Sequence, residues 1–264
     1  GGGAGLAAAI EARDAGARVV LVEKNPALGG TTAWSIGSFT ATRTPQQLAA
    51  GVDDSPDEHF ADMPKFAGPL AARDNERLRR LLVDNATDTL RWLMGHGVEF
   101  FGPMPEPPHT KPRMHNVLPN SRAFITHLSR AARRAGVVIR TGARVTGLAQ
   151  EDGRVTGVVC GDETFAAGSV VLAAGDFTSD AELTARYMGP REARVDGVNI
   201  TATGDGQKLA VALGARVLNG DLALGPELRF IPPRTSNLSQ RLPPLPMLAS
   251  FMAWSLDHMP SWLL

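Results

Sequence analysis

Gly1-Gly2-Gly3-Ala4-Gly5 and the acid Glu23 are the residues whose types and spacing best suit chemistry. Glycines this dense allow a tight turn, let the backbone approach a diphosphate, and let a helix pack closely on a strand. A helix that starts in such a turn offers unpaired N–H groups and the positive end of its dipole to an anion. An acid about twenty residues further on suits the hydroxyls of a ribose. Together these features predict a dinucleotide cradle with Gly2, Gly3, Ala4 and Gly5 at the phosphates and Glu23 at the sugar. The competing reading of Glu23 is a solvated charge at a strand end.

The elements that must position these residues follow in order. Leu6-Ala7-Ala8-Ala9-Ile10-Glu11-Ala12 favours helix, and Gly16 suits its C-terminal stop, which argues against a flexible glycine linker. Ala17-Arg18-Val19-Val20-Leu21-Val22 is a β-branched apolar run fit for a buried parallel strand ending at Glu23 and Lys24. One glycine ahead of Gly1 would complete G-x-G-x-x-G, so the sequence is expected to begin inside the motif. It then reads as a fragment without the first strand of the fold. On that reading neighbouring strands carry unpaired backbone groups, and this segment alone shows no turnover.

Three further segments share this glycine-rich character. Leu28-Gly29-Gly30-Thr31-Thr32-Ala33-Trp34-Ser35-Ile36-Gly37-Ser38 combines glycines with hydroxyls. Gly168-Ser169-Val170-Val171-Leu172-Ala173-Ala174-Gly175-Asp176-Phe177 reads as a buried strand ending in small residues. Thr203-Gly204-Asp205-Gly206 opens an alanine-rich helix that ends near Gly214.

In this order the four segments resemble FAD-dependent oxidoreductases of the fumarate reductase/succinate dehydrogenase flavoprotein superfamily, which includes the 3-ketosteroid dehydrogenases. The resemblance is good over residues 1–215 and loose beyond. It implies FAD as cofactor, with Gly29, Gly30, Thr31, Thr32, Ser35 and Gly37 running beside it. It also implies an adenine contact through the backbone of Val145, and close approach of Ala174, Gly175 and Asp205 to FAD. Lys24 joins the cofactor set beside Glu23. Where such proteins carry a second glycine after Gly175, this chain has Asp176, which adds a side chain along the cofactor path. The family's cap domain would begin near Leu222 and be truncated here. No catalytic residue is assigned, because the family's acid and substrate-clamping groups lie outside this sequence. Tyr187, the one tyrosine, is not assigned a catalytic role.

Composition narrows the function classes. The 264 residues are 43% hydrophobic with zero net charge, enough material for a sizeable core and no global field for nucleic acid or anionic membrane. Arg130, Arg133 and Arg134 on an alanine-rich stretch read as a solvated helix face. Cys160 is the single cysteine, so no internal disulfide and no cysteine metal site is expected, and a reduced cytoplasmic setting is the default. Its apolar neighbours suggest buried packing. The Leu-, Met- and Trp-rich tail from Pro243 is interrupted by Asp257, His258 and Pro260, short of the ~20 residues a span requires. Helices lining an apolar cap are expected there, with an interfacial membrane helix as the alternative.

The middle of the chain carries helical patterns over Asn75–Val83 and Thr87–Met94, with a stop at Gly97. Its prolines predict an extended loop without sheet over Gly102–His115. His109, Arg113 and His115 of that loop are candidates to face substrate or flavin, against a reading as surface polar residues. No ligand spacing for a metal accompanies them. Beyond it, a helix from Ala123 to Ala135, a strand at Val137–Arg140 and an Asp152-Gly153 hairpin are expected.

The expected fold is α/β: a two-dinucleotide-binding, Rossmann-like FAD domain with a mainly parallel sheet over residues 1–215, holding an insert over 46–120. Residues 216–264 would start an α+β cap domain. The expected activity is hydride transfer between flavin and a carbon–carbon bond activated by a carbonyl or carboxylate, on a dicarboxylate-like or steroid-like small molecule. Alternatives are a nicotinamide-dependent dehydrogenase and a non-catalytic flavin-binding fragment.

Overall fold

The computed structural model describes residues 1–223 and 242–259. In chain order its elements are α1 (Gly3–Asp14), β1 (Val20–Val22), β2 (Ser38–Thr40), α2 (Pro45–Ala49), α3 (Pro56–Asp62), α4 (Pro64–Ala67) and α5 (Glu76–Gly95). There follow β3 (Glu99–Met104), β4 (Met114–Leu118), α6 (Arg122–Arg134), β5 (Val138–Arg140), β6 (Gly147–Glu151), β7 (Arg154–Cys160) and β8 (Glu163–Ala166). The last are α7 (Ala181–Tyr187), α8 (Asp205–Ala212) and α9 (Pro246–Asp257). Two compact units emerge: residues 1–34 with 128–223, and residues 35–127 with 242–259.

The first unit is built around α1. Leu6 and Ile10, one turn apart, are buried on the same face, and Gly16 at φ +88° ends the helix where a side chain would be strained. β1 pairs in parallel with β5, Leu21 opposite Ile139, and the Glu23 amide extends that pairing by donating to the Arg140 carbonyl at 2.8 Å. β6, β7 and β8 form an antiparallel meander. Its first turn has Asp152 at φ +49° and Gly153 at φ +75°, the double positive φ of a type I′ hairpin. On α6, Arg130, Arg133 and Arg134 are exposed while Ala131 and Ala132 are buried, as a solvated helix face requires.

The expected mainly parallel sheet is not what forms. One two-stranded parallel sheet accompanies two three-stranded antiparallel ones. Part of the reason is β8, whose polar, exposed sequence carries no apolar alternation to announce it. The rest lies in the run Gly168–Ala174, which is not assigned to a strand. A strand exists only by pairing, and no described strand pairs with this run, leaving Val171 and Leu172 exposed.

The second unit packs α5 and a three-stranded sheet of order β2-β4-β3. α5 is one continuous helix, so the two shorter helical patterns are a single element. Asn75 caps it by accepting from the Leu78 amide at 3.1 Å, and Val83, Leu90 and Leu93 are buried along it. The proline-rich stretch is likewise only partly loop. β3 continues through Gly102 and Pro103 to Met104, with a register shift after Phe101, and β4 resumes at Met114. The irregularity absorbs the proline that a regular ladder would reject. α9 in the tail supplies Ser250, whose hydroxyl donates to Glu99 at 2.6 Å. Among the described residues no helix is long and apolar enough to cross a membrane.

Candidate functional site

A cavity of about 1340 Å³ lies within the first unit. Gly2, Gly3, Ala4, Gly5, Glu23, Lys24, Gly30, Thr31, Thr32, Val145, Ala174, Gly175 and Asp205 all line it. Six separate stretches of chain, at 2–5, 23–24, 30–32, 145, 174–175 and 205, therefore converge on one space. Gly29 sits at its edge, its amide donating to the Gly1 carbonyl at 2.9 Å. Ser35 and Gly37 belong to the second unit. There Gly37, at φ +85°, lies so near Val117 that a Cβ would come within 2.4 Å of the valine methyl.

The cradle is built by close backbone approach. A Cβ on Gly30 would lie 3.6 Å from the Gly2 Cα, so the two glycine clusters meet main chain to main chain. Thr32 accepts a hydrogen bond from the Gly3 amide at 3.1 Å and so satisfies the first N–H of α1. Gly2 caps that helix without a side-chain bond, and its first turn carries no acid. The amides of Ala4 and Gly5 have no intrahelical acceptor and border the cavity, an arrangement that suits a phosphate. The donors present, the absence of side chains at the turn and the space available fit a dinucleotide.

Glu23 is only 9% exposed, which removes its reading as a solvated charge. Its carboxylate accepts from the Asn25 amide at 2.8 Å and lies 2.8 Å from the Gly1 nitrogen. Lys24 turns instead to Thr203 at 2.7 Å and Asp205 at 3.1 Å. Asp205 also receives Arg144 at 3.0 Å, so one carboxylate ties together the end of β1, the segment after β5 and the start of α8. Burial pushes the Asp205 carboxyl up, but hydrogen bonds from Thr203, Lys24 and Arg144 outweigh it and hold the group below the usual carboxylate range.

Sequence reasoning missed Asn25, Asn199 and Thr201, which also line the cavity. Asn25 donates to Thr201 at 3.1 Å and Asn199 donates to Thr31 at 3.1 Å. For Asn199 and Thr201 the one sequence signal is their place just ahead of Thr203-Gly204-Asp205-Gly206, and for Asn25 its place just after Glu23 and Lys24.

The histidine–arginine loop proves to be neither an open site nor a polar surface. In the second unit Arg113 is 0% exposed, and it grips Asp54 through two bonds of 2.7 and 2.8 Å and Asp62 through one of 2.5 Å. His109 packs edge-on against His59 with ring centres 5.2 Å apart and meets Arg113 at 3.1 Å. Burial, then the fields of Arg113 and His109, push His59 down to about 4. Burial lowers His109 and His115 as well. His115 is bonded to Thr44 at 2.9 Å deep in the unit. Among the described residues no group of three or more His, Cys, Asp or Glu could hold a metal. Cys160 is half-buried and unpaired, its thiol pushed up by burial and by Glu163.

The family model described as FAD binding domain matches residues 1–238. The "Probable fumarate reductase Ifc3" of Shewanella frigidimarina is 32% identical over 232 residues, covering 83% of this chain and 38% of that protein. The open conformation of a flavocytochrome c3 fumarate reductase superposes with a TM-score of 0.77 at 31% identity, over 81% of this chain and 39% of that one. The 3-ketosteroid-Δ4-(5α)-dehydrogenase of Rhodococcus jostii RHA1, in complex with 4-androstene-3,17-dione, gives 0.70 at 27% identity, over 81% and 52%. The chain thus spans roughly two fifths to half the length of these relatives.

Proposed function

This chain belongs to the FAD binding domain family, and from that premise we propose that the whole protein is an FAD-dependent oxidoreductase acting on carbon–carbon bonds. The bond is one activated by a neighbouring carbonyl or carboxylate. The observation that carries the reading is the convergence of four glycine-rich segments, remote in sequence, on one cavity of the first unit. FAD, when bound, supplies the hydride chemistry. The chain's own residues bind and orient it. The α1 amides of Ala4 and Gly5 suit the diphosphate, Glu23 the ribose hydroxyls and the Val145 backbone the adenine. Lys24, Arg144 and Thr203 hold Asp205 in place at the same wall. Gly30, Thr31 and Thr32 continue the lining with Gly29 beside them, and the family resemblance supports a cofactor-binding role for Ser35 and Gly37 as well.

Two substrate classes are in play. A relative named for fumarate reduction supports a dicarboxylate, and one crystallised with a steroid enone supports an apolar ketone. Both contain a carbon–carbon bond polarised by an adjacent carbonyl group, which is the chemistry they share.

The test uses the full-length protein, purified and examined by absorbance. A flavin spectrum, release of FAD on denaturation, and oxidation of a reduced artificial donor on adding fumarate or a steroid enone are expected. A colourless protein that also fails to bind added FAD would sink the proposal. A flavoprotein inert to both substrates would sink the reaction class.

A further inference from the structure

Three carboxylates line the cavity of the first unit, and they differ in how their charge is met. Asp205 is neutralised by Lys24 and Arg144. Glu23 accepts from main-chain nitrogen at Asn25 and Gly1. Asp176 has no cation within salt-bridge distance among the described residues. Its donors are the Thr178 amide at 2.9 Å, the Thr178 hydroxyl at 2.7 Å and the Thr31 hydroxyl at 3.4 Å. These orient the carboxylate without placing a countercharge beside it.

The position of that charge matters. Thr31 adjoins Thr32, which holds the first amide of α1. Ala173, three residues before Asp176, lies 3.5 Å from where a Cβ on Gly5 would stand. Asp176 thus lines the same cavity as the turn whose free amides suit a diphosphate, and is linked toward that turn through Thr31.

We propose that Asp176 is a charge brake on the cofactor site: its unpaired carboxylate opposes the diphosphate of FAD and holds affinity below what the glycine cradle alone would give. The proposal rests on the FAD reading above. Like charges brought together in a partly buried site are costly, and salt screens that cost. The brake weakens binding without removing any donor from the cradle.

The experiment titrates FAD into the apo form of the full chain, comparing wild type with Asp176→Asn and Asp176→Gly at low and high salt. Asparagine keeps the acceptor oxygen that Thr178 uses, so the local turn survives. Both variants should bind FAD about tenfold more tightly at low ionic strength, with the advantage shrinking as salt is added. ADP, which carries the diphosphate, should also bind both variants more tightly than wild type when titrated by itself, whereas adenosine, which has no phosphate, should bind wild type and variants alike. Equal dissociation constants, weaker binding by the asparagine variant, or an equal gain for adenosine would overturn the brake while leaving the FAD reading intact. Failure of the wild type and both variants to bind FAD would overturn that reading, and this proposal with it.

Discussion

In the first unit, polar groups converge on a cavity and stop short of satisfying one another; in the second, they close on themselves. The amides of Ala4 and Gly5 and the residue Asp176 border an open cavity, whereas Arg113, Asp54, Asp62 and Gln47 are buried and spend their bonds on one another and on neighbouring chain. Both regions concentrate charge and hydrogen-bonding groups. The difference teaches that a dense polar cluster marks a binding site only when its donors remain unspent. A cluster that saturates itself ties its segments together instead: Arg113 joins the start of β4 to Asp54 and to the end of α3.

The largest effect is expected from breaking the closed cluster. Arg113→Met leaves Asp54 and Asp62 buried without their partner and should destabilise the protein by about 3–5 kcal/mol. Chemical denaturation followed by fluorescence measures this. A loss under about 1 kcal/mol would show that the cluster relaxes to reach water.

Acid should attack the same region next. His59 in the folded chain sits at about 4, below the ordinary 6.5, so the unfolded chain takes up the proton first. The associated stability is complete above pH 6.5 and is lost as pH falls toward 4, by about 3 kcal/mol for this one histidine. His109 and His115 are shifted in the same direction and add to the loss. Denaturation midpoints at pH 7.5, 6 and 5 should fall steadily, and His59→Phe should flatten the trend. Below pH 3.8 the buried carboxylates take over. Burial raises Asp54, but bonds from Arg113, Gln47 and Ser55 lower it further, so its stabilising charge is lost as acid protonates it.

In the open region the effects concern ligand rather than fold. Glu23→Ala removes a charged acceptor worth roughly 1.5–3 kcal/mol and should weaken FAD retention about ten- to hundredfold. Unfolding without ligand should change little. An unaltered FAD dissociation constant by fluorescence titration would return Glu23 to a structural role.

The smallest effect should follow Thr32→Val, which removes the oxygen that satisfies the Gly3 amide. Loss of such a cap costs about 1 kcal/mol. FAD should recover part of it by occupying the cradle, so the destabilisation seen in thermal melts should narrow when FAD is added. Equal destabilisation with and without FAD would place Thr32 outside the bound cofactor's reach.

Much of the first unit was legible because its signals are local. Leu6 and Ile10 one turn apart, Gly16 at the helix end and Asp152-Gly153 between two apolar runs each specify a conformation within a few residues. The glycine clusters are also local statements about where backbone must come close. Other features escaped for a physical reason. β8 shows no apolar alternation, and β3 runs through Pro103 because a register shift accommodates it, which propensity does not reveal.

By itself, the sequence determined that Gly1–Gly5 would turn into a helix, that the run Ala17–Val22 would hold a strand ending at a carboxylate, and that four glycine-rich segments suit one dinucleotide; the strand that forms is its second half, Val20–Val22. Only the tertiary structure decided which charges are free. Arg113 and Asp54 are 59 residues apart, and Lys24 and Asp205 are 181 apart. Nothing in either neighbourhood announces the partner. Charge acts through distance in space, and the chain's path through space is set by packing, so His109 and Arg113 close into a buried cluster while Asp176, held by Thr31 and Thr178, lines the cavity without a cation beside it among the described residues.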